Sequence, residues 1–206
     1  MNIKQRINDI RQLPEKVNFK HELFYTLSVM ILGLLFGLIA KSTDSISVIG
    51  EIGTNLGVWI FIGTLIAAYS HTPLLAALNL PVFLLSMLTS YYIYGLFVLG
   101  FFPRAYFLGW LVVSLLSPIG SFVIWFSRGK SWPAIISTAL PAAVLIAEGY
   151  PAYYTFQIPL ILDLTFAIIL IALLPKTRKQ KLFTLIISCI FAFIISKLYL
   201  LSYLPW

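Results

Sequence analysis

The chain has 206 residues, of which 60% are hydrophobic and 10% charged, with a net charge of +7. That balance excludes an ordinary water-soluble domain. The length suits one compact helical bundle and no second domain.

Residues 1–22 read as a cytoplasmic, amphipathic interfacial helix, and residues 23–206 as one transmembrane helical domain. Ile3, Ile7, Ile10, Leu13 and Val17 recur at helical spacing and share one face. Lys4, Arg6 and Arg11 take other faces, and Pro14 interrupts the helix after Leu13. A basic amphipathic helix before a span is expected to lie on an anionic leaflet. The alternative is a docking site for a cytoplasmic partner. No cleavable signal is expected, because the first apolar run follows a long polar stretch and is itself of full span length.

Seven apolar stretches then follow, at about 23–40, 55–70, 73–95, 105–126, 132–150, 156–174 and 182–203. A crossing takes roughly 20 residues. The fold class predicted is therefore all-α, a polytopic membrane bundle of about seven helices plus the N-terminal helix. Lys and Arg collect before the first stretch, at Arg128 and Lys130, and at Lys176, Arg178, Lys179 and Lys181. The alternate connections hold only Lys41 and Arg104. The positive-inside rule places the N-terminus inside and the C-terminus outside. These cations follow topology, so nucleic acid is not an expected partner; the lipid bilayer is.

Pro73 and Pro133 suit first helical turns, whereas Pro81, Pro118 and Pro141 fall mid-span and are expected to kink or break their helices. Small residues four apart mark close helix packing: Gly33 and Gly37; Ala139, Ala143 and Ala147; Ser188, Ala192 and Ser196. Most such faces serve the bundle itself. Gly33–Gly37 is the best candidate to meet a separate transporter or other membrane-protein subunit.

Ionisable groups at membrane depth are costly and face a cavity or one another. Asp163 and Lys197 lie at matched depth on consecutive antiparallel helices, roughly 9–10 Å below the outer surface at 1.5 Å per residue. They are predicted to pair, either tying two helices or serving a ligand. Glu51, Asn55, Arg104 and Glu148 gather at the same level, beside Tyr91 and Tyr92 and a Gly-rich connection at 50–57. These eight residues are the predicted outward-facing ligand site. No polar path continues across the inner half, which argues against an ion channel or proton relay.

Catalytic patterns are sparse. His-Glu-x-x-His, Gly-x-Ser-x-Gly and nucleotide-binding Gly-Lys-Ser/Thr motifs are missing from the sequence. His21 and His71 are too isolated for a metal site, and Cys189 has no companion ligands. No catalytic residue, metal or cofactor is expected. Glu148 and Asp163 remain the only carboxylates suited to acid–base work on a substrate entering from outside.

Gly53-Thr-Asn55-Leu-Gly57-Val-Trp59, Tyr91-Tyr92, Ser117-Pro118 and Ala147-Glu148 together resemble a family of small bacterial multi-pass membrane proteins defined as a domain of unknown function, over about 25–200. The resemblance implies a bacterial cytoplasmic membrane and no activity. A looser similarity links the chain to substrate-binding subunits of energy-coupling factor transporters, whose first helix docks through small residues four apart. Those subunits have six spans and usually Ala where Gly33 and Gly37 stand here. The leading functional reading is capture or transport of a small molecule at an outward-facing polar pocket, with partner subunits. The runner-up is a non-catalytic accessory subunit of a membrane complex, and a membrane-embedded enzyme comes third.

Overall fold

The computed structural model describes residues 3–14, 18–199 and 201. It is all-helical, with no strand among the described residues. The helices are α1 (Ile3–Ile10), α2 (Phe19–Thr43), α3 (Ser47–Thr54), α4 (Leu56–Tyr69), α5 (Pro73–Leu99), α6 (Arg104–Trp125), α7 (Ser131–Gly149), α8 (Ala152–Thr155), α9 (Ile158–Leu173) and α10 (Arg178–Lys197). Five of them, α2, α5, α6, α7 and α10, are long and apolar enough to cross a membrane. The other two predicted crossings look different. α3 and α4 form a pair bent by 49°, and α9 is a shorter apolar helix.

Local chemistry explains the boundaries. Asn18, Asn55, Thr72 and Thr177 each accept a backbone N–H from the first turn of the helix that follows, at α2, α4, α5 and α10. Thr177 and Gln180 form a reciprocal capping box. Gly100 ends α5 in the left-handed region, φ 66°, where a side chain would be strained.

The three mid-span prolines do not break their helices. Pro81, Pro118 and Pro141 each lie inside a continuous helix. At Pro118 the reason is visible. A proline deprives the carbonyl four residues earlier of its donor. That carbonyl belongs to Ser114, and the Ser117 hydroxyl donates to it at 2.7 Å. The actual break falls at Thr54–Asn55, in the Gly-rich stretch read as a connection, most of which is helix α3.

α7 is the central helix, with 61% of its apolar window buried, against 22% for α2 and α10 and 11% for α6. α2 packs on α5, α5 on α6, and α7 lies between α9 and α10. α4 joins the two halves. Its Trp59 and Ile66 belong to a core with Val29, Leu80 and Phe83, and its Ala68 to another with Leu145, Ala167 and Leu170.

Small residues let these pairs approach. A Cβ on Gly33 would sit 2.5 Å from the Phe83 carbonyl oxygen, and one on Gly37 would collide with Ser90 Oγ and the Met87 carbonyl. The Gly33–Gly37 face is therefore filled by α5 and is not open to another subunit. Ala139 and Ala143 are fully buried in α7, and Ala147 is half-buried. Ser188 donates to the Ala139 carbonyl at 3.4 Å, Ala192 is buried, and Ser196 is exposed.

The N-terminal segment differs from the sequence expectation. α1 ends at Ile10, before Pro14 is reached. Ile7 and Leu13 pack against Ala67, Ala76 and Trp125 at one end of the bundle. That part of the apolar face is half-buried against the bundle itself. Lys16, Val17, Trp206 and the side chains of Ile3, Lys4 and Arg6 lie outside the described residues.

Candidate functional site

The bundle has two contrasting ends. At the tyrosine-rich end, α2 and α5 finish and α6 and α9 begin. Lys41 Nζ pairs with Asp44 Oδ2 at 2.6 Å. The Tyr91 hydroxyl donates to the same oxygen at 3.0 Å, and Lys41 lies 4.8 Å from the centre of the Tyr91 ring. The last turn of α2 supplies Lys41 and the residue after it supplies Asp44, three positions on, so the pair forms within one turn. Tyr91 reaches it from the facing α5.

Beside this triad lies a cavity of about 350 Å³, between α2, α3, α4, α5 and α6. Lys41 and Tyr91 line it; Asp44 does not, but holds both of them. Most of the wall is apolar, with Trp59, Tyr92, Tyr106 and Trp110 among its members. Tyr92 is buried and meets Tyr91, Phe102 and Phe107 edge to face at 5.2, 5.5 and 5.2 Å. Rings favour such edge-to-face contacts. Gly95 belongs to the same wall, and a Cβ there would make ordinary contact with Lys41 Cε and the Phe101 carbonyl oxygen at 3.4 Å.

Of the eight predicted ligand residues, Tyr91 and Tyr92 line this cavity, and the six polar ones do not. Glu51, Arg104 and Lys197 are exposed, and Glu148 is half-buried near the end of α7. The predicted ion pair does not form. Asp163 is fully buried and accepts a hydrogen bond from Asn55 Nδ2 at 3.2 Å. Lys197 lies 5.7 Å from the Phe193 ring. Matched depth brings two side chains together only when their helices are close neighbours, and α9 and α10 both pack chiefly on α7 instead.

Asp163 and Asn55 make a different unit. Asn55 Oδ1 accepts the Gly57 N–H at 2.6 Å and caps α4, while its amide nitrogen serves Asp163. Asp163 Oδ1 makes no hydrogen bond and rests against Gly57, where a Cβ would collide with it. The carboxylate thus sits at the first turn of α4, the positive end of the helix dipole. It joins α9 to the bend between α3 and α4.

At the opposite, basic end the groups that matter were missed in the sequence. The Arg11 guanidinium donates to the carbonyls of Ala68 at 2.9 Å, Ser70 at 3.4 Å and Trp125. These are orphan carbonyls at the ends of α4 and α6. Its carbon lies 4.2 Å from the Trp125 ring centre, and Trp125 Nε1 donates to Ser70 O at 2.8 Å. Thr26 donates to Asn79 Oδ1 at 2.8 Å, Asn79 Nδ2 to Ser70 Oγ at 3.1 Å, and Ser70 Oγ to Ile66 O at 2.8 Å. Burial first, and then the neighbouring Arg128, pull the Arg11 pKa down to about 10. Nearby, His71 Nδ1 meets Glu22 Oε1 at 2.7 Å. The sequence marked Arg11 only as a topology charge; its three residues of spacing from Asn8 and Pro14 carried no sign of a carbonyl clamp.

A signal for the cavity did exist. Lys41 is one of only two cations in the connections that alternate with the basic ones, and an acid follows it three residues later. No group of three or more metal-binding side chains occurs among the described residues. No protein-family model matches the chain, and neither a curated protein nor a solved structure matches it.

Proposed function

We propose that the protein is a multi-pass membrane protein that binds a small, mostly apolar molecule in the aromatic cavity beside Lys41 and Tyr91. In this reading the bent α3–α4 pair and the short α9 count as crossings, which makes seven. The basic end faces the cytoplasm, so the cavity lies at the outer end. The carrying observation is the cavity itself. About 350 Å³ is within the range of small-molecule sites, and apolar walls with a few fixed polar groups are their usual chemistry.

The division of labour follows from the geometry. Trp59, Tyr92 and Trp110 offer flat apolar surface. Asp44 neutralises Lys41, so the triad presents little net charge and suits an uncharged ligand. Lys41 and the Tyr91 hydroxyl supply the polar contacts that orient it. Capture rather than catalysis is favoured, because Asp163 and Glu148 lie outside this cavity.

The test uses 4-bromophenol as a probe, because bromine quenches nearby tryptophans. Saturable quenching of Trp59 and Trp110 in the purified protein, abolished by the cavity-filling variant Leu88→Phe, supports the site. Linear, non-saturating quenching that is equal in both proteins refutes it. Orientation is checked with Tyr153→Cys and Lys179→Cys, each in a Cys189→Ala background. An impermeant thiol reagent should label position 153 in intact cells and position 179 only after permeabilisation; the reverse order rejects the topology.

A further inference from the structure

The basic end carries a second depression, of about 500 Å³, walled by Arg11, Arg128, Lys130 and Lys176 with the Asn8 amide and one acid, Asp9. Four cations against one carboxylate leave a local excess of three positive charges. Both ion pairs among the described residues lie elsewhere, at Lys41–Asp44 and His71–Glu22. The site is assembled from three separate stretches of chain. Residues 8–12 form one wall because the Lys130 N–H donates to Ile10 O at 2.7 Å and Gly129 allows the close approach. Arg11 is fixed by its carbonyl clamp, and Arg128 by stacking 4.1 Å from the Tyr69 ring centre. Lys130 and Lys176 are exposed.

We infer that this depression binds a phosphate group, and that its source is the headgroup of an anionic phospholipid. The Arg128 guanidinium and two exposed ammoniums, with the Arg11 charge beside them, match an anion carrying several acceptor oxygens. The depression lies where α4, α6 and α9 end and α7 and α10 begin, which is the headgroup level for a bundle in a bilayer. Basic pockets among helix ends on the cytoplasmic side suit anionic headgroups. The inference rests on the membrane reading and is independent of the aromatic cavity.

The experiment compares two sets of charge removals in the purified full chain. The pocket set is Arg128→Gln, Lys130→Gln and Lys176→Gln. The control set is Lys20→Gln, Arg178→Gln and Lys179→Gln, which removes equal charge at the same end outside the depression. Arg11 is left in place because it also holds the fold. Native mass spectrometry measures retention of phosphatidylglycerol against phosphatidylcholine, and equilibrium dialysis measures inorganic phosphate. The wild type should retain phosphatidylglycerol preferentially. The pocket set should lose affinity by about fivefold per cation, on the order of a hundredfold together, and the control set far less. The exposed single variant Lys176→Gln, with about a fivefold loss, separates this from misfolding. Binding of inorganic phosphate without lipid preference overturns the lipid source and keeps the phosphate site. Equal losses in both sets, or no preference and no phosphate binding, overturn the site.

Discussion

The two ends of the bundle solve the same problem in opposite ways. At the basic end, orphan carbonyls of α4 and α6 are closed by Arg11, and Thr26, Asn79, Ser70 and Trp125 hand hydrogen bonds on to one another. At the tyrosine-rich end, rings meet edge to face around a void of about 350 Å³. Directional bonds pull their partners into contact. Aromatic rings prefer set angles, edge to face or offset. Both ends keep a hollow, of about 500 Å³ at the basic end and about 350 Å³ at the tyrosine-rich end, but the first is walled by charged and polar groups and the second mainly by apolar ones.

The comparison breaks most severely if the Arg11 clamp is removed. Arg11→Ala leaves three carbonyls without their charged donor and should cost about 3–4 kcal/mol, read as a lower thermal midpoint in detergent. Arg11→Lys should recover only part, because one ammonium cannot serve carbonyls on two helices as a fork does. Gly37→Ala acts on α2–α5, which runs between both ends. Its methyl would strike the Met87 carbonyl, a backbone atom, so a loss of about 2–3 kcal/mol is expected.

Asn55→Ala removes both the α4 cap and the donor to Asp163, with an expected cost of about 1–3 kcal/mol. Asn55→Asp restores the cap but sets a second carboxylate against Asp163, and should be no better than Ala at neutral pH. Equal stability of Asn55→Ala and wild type would dissolve this unit. The smallest effect sharpens the contrast from the tyrosine-rich side. Tyr91→Phe loses one hydrogen bond to Asp44 and should cost about 0.5–1 kcal/mol. It should also weaken 4-bromophenol quenching, whereas Arg11→Ala should not alter quenching in the protein that remains folded.

The helices were legible because hydropathy is a local property of the chain. The apolar runs mark α2, α5, α6, α7 and α10. The broken α3–α4 was read as a connection and one span, since Gly50, Gly53 and Gly57 resemble a loop when their packing is unknown. Gly57 is small because Asp163 lies against it, and Gly37 because α5 does.

Contacts between helices are where the reading failed. Asp163 and Lys197 share a depth, yet α7 stands between their helices, and Asp163 pairs with a residue 108 positions away. Lys41 and Tyr91 are 50 positions apart and meet only because α2 and α5 pack through glycine. Composition and periodicity by themselves determined that this chain is a bundle of apolar helices, and roughly where each lies. Which helices are neighbours was decided only in three dimensions. Apolar helices in lipid gain little from hydrophobic sorting, so close packing of small residues and a few hydrogen bonds choose the partners. Those are properties of pairs of surfaces, and a cavity is what remains when several such surfaces have met.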